Sequence, residues 1–449
     1  MRGDEKMTDT EAAELIAQKT AEYGGIVYYV GGCVRDGLLG FPVKDIDIEV
    51  HGVPRGTLEN VLGSIGEPME YGSSFGIYGL KGLDIDIAMP RKERPDGMKH
   101  TDFIVEADPF IGTFEAARRR DFTINALMKN VLTGSLTDHF GGLADLNGKV
   151  LRHVDSSTFS DDPLRVLRGA QFAARFGFTI APETMELCRN IDLSHLSGER
   201  IMLELEKALL KAQCPSVFFQ ALRDMGQLDV WFPELKALIG VPQRNDFHQE
   251  GDVWNHTMLV VDQAAKRRDR GSRPLDFMLS ALCHDMGKPM TTQTDENGIV
   301  HSLGHEDAGQ AEASRFLERI VASTQTREYV ANMVKLHMQP NILANAHSRV
   351  KKTNKLFDQS VCPEDLVQLA VCDGLGKIPQ EGGTESFLTE RAEVFREMMS
   401  RPYVMGRDLI KAGLKPGENF GELLAYAHKL RLAGVPKDEA LRQTLSYKK

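Results

Sequence analysis

The stretch Tyr28-Tyr29-Val30-Gly31-Gly32-Cys33-Val34-Arg35-Asp36, followed by Asp45-Ile46-Asp47, decides how this chain is read. The apolar run from Ile26 to Val30 predicts a buried strand, and the paired glycines let the backbone turn tightly after it. Cys33 to Leu39 read as a short helix whose N-terminal amides can face a phosphate, with Arg35 beside them. A second strand, Asp45 to Val50, follows. Alternate strand residues share a face, so Asp45 and Asp47 point the same way. A third acid, Asp86, lies in the alternating run Leu83-Asp84-Ile85-Asp86-Ile87-Ala88. Asp84 shares its face, and the pattern alone does not choose between them. Carboxylates side by side repel unless a cation lies between them, and Mg2+ favours carboxylates together with substrate phosphates. A phosphate cradle with a carboxylate pair is the equipment for metal-assisted phosphoryl or nucleotidyl transfer. A tight turn with surface acids would explain any one of these features, but not their combination.

Outward from this stretch, 449 residues are too many for one core, so several domains are expected. The content of 42% hydrophobic and 26% charged residues is that of a soluble globular protein. No apolar run reaches about 18 residues, so no membrane span is expected. The polar start, Met1 to Thr10, lacks the apolar core of a signal peptide. The six cysteines form no CxxC pair, which suits reduced thiols in a cytoplasmic protein. A net charge of -10 and a pI near 5.8 exclude a generally basic nucleic-acid binder. An RNA partner would have to meet a local basic surface. Candidates are Arg118 to Arg120, the cluster Lys266-Arg267-Arg268 with Arg270 and Arg273, and Lys351-Lys352 with Lys355.

Residues 1 to about 138 read as mixed α/β. Thr8 to Tyr23 is helical in pattern, and β-rich runs stand at 26–30, 45–50, 75–80 and 83–88. Between Pro90 and Phe114 the pattern predicts a polar loop beginning Arg91-Lys92-Glu93-Arg94-Pro95-Asp96-Gly97. From Thr113 onward it becomes helical, with apolar periodicity in 164–178, 199–210, 215–225 and 256–265, and strands are hard to find after about 155. Within Asp161-Asp162-Pro163-Leu164-Arg165-Val166-Leu167-Arg168, residues Asp162, Arg165 and Arg168 fall three apart and form one polar stripe on a helix. An Asp and an Arg on a rigid helix supply the donors and acceptors that cytosine or adenine needs. A second constellation comprises His248, His256, His284-Asp285, His305, His337 and Asp373. His and Asp from separate helices can converge on divalent metals.

Three further blocks follow the opening stretch in order: Arg118-Arg119-Arg120-Asp121-Phe122-Thr123-Ile124-Asn125-Ala126, Asp138-His139-Phe140-Gly141-Gly142-Leu143-Ala144-Asp145-Leu146, and Asp161 to Arg168. With the glycine turn and the carboxylates, they resemble the nucleotidyltransferase superfamily that includes DNA polymerase beta. More closely, they resemble the bacterial-type (class II) tRNA nucleotidyltransferases, the CCA-adding enzymes, and their poly(A) polymerase relatives. The resemblance implies an α+β protein: a small polymerase-beta-like head, then a mostly helical neck and body. It implies Asp45, Asp47 and Asp86 as catalytic, with Mg2+ on Asp45 and Asp47. It implies Gly32 and Arg35 as the phosphate cradle, Arg120 at the triphosphate, Asp162 and Arg165 as the base-reading pair, and Arg168 as a nearby nucleotide contact. The partners implied are tRNA, CTP and ATP. The loop from Arg91 to Asp108 would be the movable element that lets one site turn from CTP to ATP. Two departures stand out: Asp161 where the family more often has Glu, and Gln171 where a further arginine is common.

His284-Asp285-Met286-Gly287-Lys288-Pro289 resembles the HD phosphohydrolase domain. This implies an all-α domain with His256, His284, Asp285 and Asp373 as its metal ligands. His305 and His337 match positions used by two-metal members. Such a ligand set suits Ni2+, Co2+ or Mn2+ better than Mg2+. The expected organisation is a nucleotidyltransferase head at 1–138, a helical neck and body at 139–240, an HD domain at 241–400 and a helical tail at 401–449. The expected activity is template-independent addition of CCA to tRNA. A poly(A) polymerase or a partial CC- or A-adding enzyme is the alternative within the class, and an RNA-binding HD nucleotide hydrolase is the alternative outside it.

Overall fold

The glycine pair does end a strand. In a computed structural model, which describes residues 7–43, 45–71, 76–95, 103–417 and 419–447, the apolar run forms β1 (Ile26–Val30). The chain divides into two compact units, Met1–Leu193 and Ser194–Lys449. The first unit opens with α1 (Asp9–Ala21), where Thr8 and Glu11 cap each other: the Glu11 amide donates to Thr8 Oγ1 at 3.3 Å and the Thr8 amide to Glu11 Oε2 at 2.8 Å. After β1 come α2 (Gly32–Leu38), β2 (Ile46–His51), α3 (Arg55–Gly63), β3 (Pro68–Glu70), β4 (Ile77–Leu80) and β5 (Ile85–Ala88). Then follow β6 (Arg91–Pro95), β7 (Phe103–Ala107), α4 (Thr113–Arg118), β8 (Met128–Asn130) and β9 (Leu136–Thr137). The unit closes with α5 (Gly142–Gly148), β10 (Val150–Leu151), α6 (Ser156–Phe159), α7 (Leu164–Phe176), β11 (Thr179–Ile180) and α8 (Pro182–Arg189).

Seven strands form one sheet in the order β3-β4-β5-β2-β1-β8-β9. Among the described residues only β2 and β5 are parallel neighbours in it, with Asp47 opposite Asp86 and Ile48 opposite Ile87. Alternation then sorts the side chains. Ile46, Ile48, Val50, Ile85 and Ile87 pack with Ile16 of α1 and Leu58 and Leu62 of α3 in the core. Asp47 and Asp86 are left on the opposite face. The polar loop expected between Pro90 and Phe114 is instead largely an antiparallel ribbon, β6 with β7, from Arg91 opposite Ala107 to Pro95 opposite Phe103. Residues 96–102 of the expected loop lie outside the described residues. A two-stranded ribbon outside the main sheet needs no apolar alternation, so the hydrophobic pattern could not reveal it.

Among its described residues the second unit is helical apart from the two-residue strands β12 (Gln293–Thr294) and β13 (Val300–His301). Its helices are α9 (Gly198–Lys211), α10 (Ser216–Asp224), α11 (Pro233–Lys236), α12 (Val253–Ala265), α13 (Pro274–Cys283), α14 (Lys288–Thr291), α15 (His305–Ile320) and α16 (Thr324–Leu336). They continue with α17 (Met338–Asn345), α18 (Val350–Gln359), α19 (Pro363–Leu375), α20 (Thr384–Ser400), α21 (Gly406–Lys411), α22 (Phe420–Leu432) and α23 (Lys437–Leu445). Val404, Leu409, Ala427 and Ala440 give the last three helices a small core of their own. No helix among the described residues is long and apolar enough to cross a membrane.

Candidate functional site

Asp47 is half-buried on β2, directly opposite exposed Asp86 on β5. Burial, the Asp86 charge and the Asp45 charge push the Asp47 carboxyl up to about 6, against the pull of Arg120. Exposed Asp45 stands immediately before β2. The register thus brings Asp86 to Asp47, while Asp84 lies ahead of β5, its amide donating to Asp9 Oδ1 at 2.9 Å. Crowded carboxylates of this kind fit a hard divalent cation, which would lower the repulsion that raises Asp47.

Gly31 makes the approach to these carboxylates possible. Its φ of 67° is one that other residues rarely adopt. A Cβ there would also stand 3.2 Å from Arg120 Nη1 and 3.6 Å from Asp47 Oδ2. Gly31, Arg120 and Asp47 therefore surround one spot at the end of β1. Next along β2, Glu49 is buried, and its Oε2 pairs with Arg120 Nη2 at 3.4 Å while its Oε1 faces His51 Nε2 at 2.8 Å. Burial pushes the Glu49 carboxyl up, but His51 and Arg120 outweigh it and hold it below the ordinary value.

Arg35 stands beside the glycine turn, its Nη2 3.6 Å from where a Gly32 Cβ would be, but it is committed within the fold. It is 4% exposed. Its Nε donates to Asp36 Oδ1 at 2.7 Å and its Nη1 to Asn125 Oδ1 at 2.7 Å, and it stacks on Phe172 and Phe176 at 5.0 and 4.7 Å. Its donors are turned inward, so in this structure it ties α2 to α7. The tie continues through Asn125 Nδ2 to Asp121 Oδ1 at 2.9 Å, and from Asp121 Oδ2 to Arg168 Nη2 at 2.6 Å. Burial pushes the Asp121 carboxyl up, but Arg168 and Asn125 hold it below its ordinary value. Asp162 Oδ1 accepts from the Leu164 amide at 3.2 Å, at the start of α7. Arg165 donates to the carbonyls of Thr158 and Arg119 at 2.5 and 2.6 Å. Gln171 is buried, and its Nε2 has no hydrogen-bond partner among the described residues. The sequence reading missed Glu49, Asp121 and Asn125 as members of this network; the block that contains the last two was the available signal.

In the second unit, five elements deliver one cluster: α12 carries His256, α13 leads into His284 and Asp285, α15 opens with His305, α16 leads into His337, and α19 carries Asp373. His256 Nε2 lies 3.0 Å from Asp373 Oδ1 and 3.7 Å from Asp285 Oδ2, and His284 Nε2 lies 3.2 Å from Asp285 Oδ2. His305 and His337 approach Asp285 Oδ1 at 3.5 and 3.7 Å. The cluster divides into two ligand groups, His256-His284-Asp373 and Asp285-His305-His337. His284, His305 and His337 each place Nδ1 against the carbonyl three residues earlier, at 2.8, 2.7 and 2.7 Å. Those bonds put the proton on Nδ1 and turn the Nε2 lone pairs inward. Burial and neighbouring His284 push His337 down to about 3, so it is neutral. Burial would raise Asp285 and Asp373, yet the surrounding histidines and lysines hold both well below the carboxylate range. Glu250, missed in the sequence, backs His256 Nδ1 at 3.0 Å and His248 Nδ1 at 2.6 Å.

Comparison with known proteins gives the family. Residues 27–152 match the family model described as Poly A polymerase head domain, and residues 177–239 match that described as Probable RNA and SrmB- binding site of polymerase A. A Multifunctional CCA protein from Actinobacillus pleuropneumoniae is 38% identical over 318 residues, covering 69% of this chain and 75% of that one. One from Xanthomonas campestris is 36% identical over 425 residues, covering 93% and 100%. Among solved structures, a CCA-adding enzyme in an apo form superposes with a TM-score of 0.70 at 22% identity, covering 97% of this chain and 95% of that one. A Thermotoga maritima CCA-adding enzyme complexed with tRNA does so with a TM-score of 0.65 at 21% identity, covering 97% and 94%. These two likenesses concern the fold. Identity above one third along almost the whole chain, together with a divalent-metal type of carboxylate site in the head, shows that this protein belongs to the CCA-adding nucleotidyltransferase family of the multifunctional CCA proteins.

Proposed function

We propose that this chain adds CCA to the 3′ end of tRNA from CTP and ATP, without a template and with release of pyrophosphate. The observation that carries the reading is the convergence of Asp47, Asp86, Gly31 and Arg120 at one end of β1 and β2. Asp45, Asp47 and Asp86 would hold Mg2+, which when bound supplies charge neutralisation at the reacting phosphate. The tRNA 3′ oxygen forms a bond to the α-phosphorus as the bond to pyrophosphate breaks. The chain's own contribution is position and charge. Gly31 and Gly32 let the backbone come close to the triphosphate, and Arg120 faces it. Arg35 and Arg168, linked through Asn125 and Asp121, fix α7 against α2. Asp162 and Arg165 would serve base choice, Arg165 by exchanging its bonds to the Thr158 and Arg119 carbonyls for the base edge. Head, neck and body, HD domain and tail at 1–138, 139–240, 241–400 and 401–449 is the organisation we favour, in a cytoplasmic protein. The test is incubation with tRNAs ending before the first C, the second C or the terminal A, with each labelled NTP, followed by product sequencing. Ordered C, C, A addition is expected; runs of A, or arrest after CC, would replace the reading by one of the alternatives.

A second reading concerns the cluster around Asp285. The inward Nε2 atoms of His305 and His337, 3.3 Å apart, favour bound divalent metal and hydrolysis of a phosphoester. His256, His284, Asp285 and Asp373 would hold Ni2+, Co2+ or Mn2+, with His305 and His337 completing a second position. Assay of 2′,3′-cyclic phosphates and 2′-nucleotides across a panel of divalent ions tests it; no hydrolysis with any ion would make the domain an accessory.

A further inference from the structure

We propose that Glu49 is a positioning residue of the transfer site: its carboxylate, steadied by His51, holds Arg120 toward the incoming triphosphate and away from Asp47. The proposal rests on the nucleotidyl-transfer reading above. Glu49 follows Asp47 by two residues on β2, so both carboxylates stand on one face. They differ in what they serve. Glu49 is buried and divides its oxygens, Oε1 to His51 Nε2 at 2.8 Å and Oε2 to Arg120 Nη2 at 3.4 Å. His51 is buried as well and packs edge-on against Tyr28, with ring centroids 5.4 Å apart. Two partners on two oxygens leave the Glu49 side chain one orientation.

Arg120 is the beneficiary. Its guanidinium is planar, so holding Nη2 fixes the whole fork. Nη1 then lies at the Gly31 turn, and Nε is buried without a hydrogen-bond partner among the described residues. Nη1 is thereby a donor held at the glycine turn, where an anion would approach. Without Glu49, Asp47 is an acceptor that shares with Arg120 the space beside Gly31. An Arg120–Asp47 ion pair would take a donor from the phosphate and a carboxylate from the metal together. Glu49 thus separates the positive group from the carboxylate that the chemistry needs.

A buried ion pair that merely supports the fold is the competing account, and a double-mutant cycle separates the two. The full-length protein, Glu49→Ala, Glu49→Gln, Arg120→Ala and the double Ala variant are compared for CTP binding by calorimetry, for steady-state CTP and ATP addition to tRNA lacking CCA, and for Tm. Glu49→Ala is expected to weaken CTP binding and raise KM for both nucleotides by about 10-fold, the size of one lost charge-assisted hydrogen bond, with kcat falling less. Glu49→Gln keeps one acceptor oxygen and the volume, so it should recover part of the loss and remain folded if Glu49→Ala does not. In the Arg120→Ala background, removing Glu49 should change KM by less than about 2-fold. Equal effects in both backgrounds, or CTP binding by both folded Glu49 variants as tight as the wild type, overturn the proposal. A wild type that neither binds CTP nor extends tRNA overturns the transfer reading and this proposal with it.

Discussion

Asp47 is under opposed influences: burial and the Asp86 charge favour its proton, and Arg120 favours its loss. With a folded-state value of about 6 against an ordinary 3.8, the native protein holds this proton more tightly than the unfolded chain. Its contribution to stability is therefore full below about pH 4 and is lost as pH rises through 6. Metal-free protein should lose stability over that interval, and Mg2+ should raise Tm more at pH 7.5 than at pH 5, where it must displace the proton. Thermal melts with and without Mg2+ check this; Asp47→Asn should abolish the pH-dependent part of the Mg2+ shift, and a shift equal at both pH values would refute it. Residue identity alone left Asp84 and Asp86 equivalent, because same-face alternation is blind to which strand lies alongside. Strand register sets Asp86 opposite Asp47, which favours Asp86 as the third carboxylate. Asp86→Ala should therefore reduce nucleotide addition to background, while Asp84→Ala should stay within a few-fold of wild type; the reverse order would move the third carboxylate to Asp84.

At the level of elements, strands with an apolar face were legible and strands without one were not. β1, β2, β4 and β5 each put alternate apolar residues into one core and could be read from the chain. The β6–β7 ribbon opens with Arg91-Lys92-Glu93-Arg94-Pro95, which carries no such pattern. The short helix α6 was also unseen, because its determinant is a cap rather than a stripe. Asp155 Oδ1 accepts from the amides of Ser157 and Thr158 at 3.0 and 3.1 Å, and Asp155 Oδ2 pairs with Arg118 at 3.1 Å. The Ser157 hydroxyl, the Thr158 amide and Arg118 hold the Asp155 carboxyl down at about 2. Its contribution is thus complete above about pH 4 and is lost as pH falls through 2. Asp155→Ala should cost about 1 kcal/mol, as for other N-caps, with the difference from wild type shrinking in acid. Urea melts at pH 7 and pH 3 check the sign; a difference that grows in acid would show that the cap is not the source. Because the same carboxylate occupies Arg118, that arginine is a structural member here rather than part of a free basic surface.

The whole chain is acidic, so the question of where RNA finds positive charge is one of elimination. Arg267 pairs with Glu385 and Gln368, and Arg268 donates to the carbonyls of Leu209 and Ala212. Among the sequence candidates of the second unit, Lys351, Lys352 and Lys355 on α18 are exposed and carry no ion pair among the described residues. The two chemical sites draw on different residues: the carboxylates of the first lie before Leu193 and the cluster of the second after Ser194. The histidines themselves were legible in sequence as a set, but not their tautomers, which follow from backbone carbonyls at Ala281, Ser302 and Val334. With Nδ1 of each directed at a backbone carbonyl, the Nε2 atoms of His305 and His337 face each other at 3.3 Å, and a cation between such lone pairs converts repulsion into ligation. Ni2+, Co2+ or Mn2+ should therefore raise the Tm of the second unit's transition, with ~2.7 kcal/mol available at a hundredfold excess over Kd. Chelation followed by dialysis should reverse the rise, and His284→Ala should remove it. The same variant should keep nucleotide addition within about 2-fold of wild type, as expected for residues with no shared partners. Calorimetric melts and labelled-CTP addition, run on one preparation, check both halves. A wild type indifferent to all three ions would end the metal reading, and loss of addition in folded His284→Ala would show that the two sites are coupled.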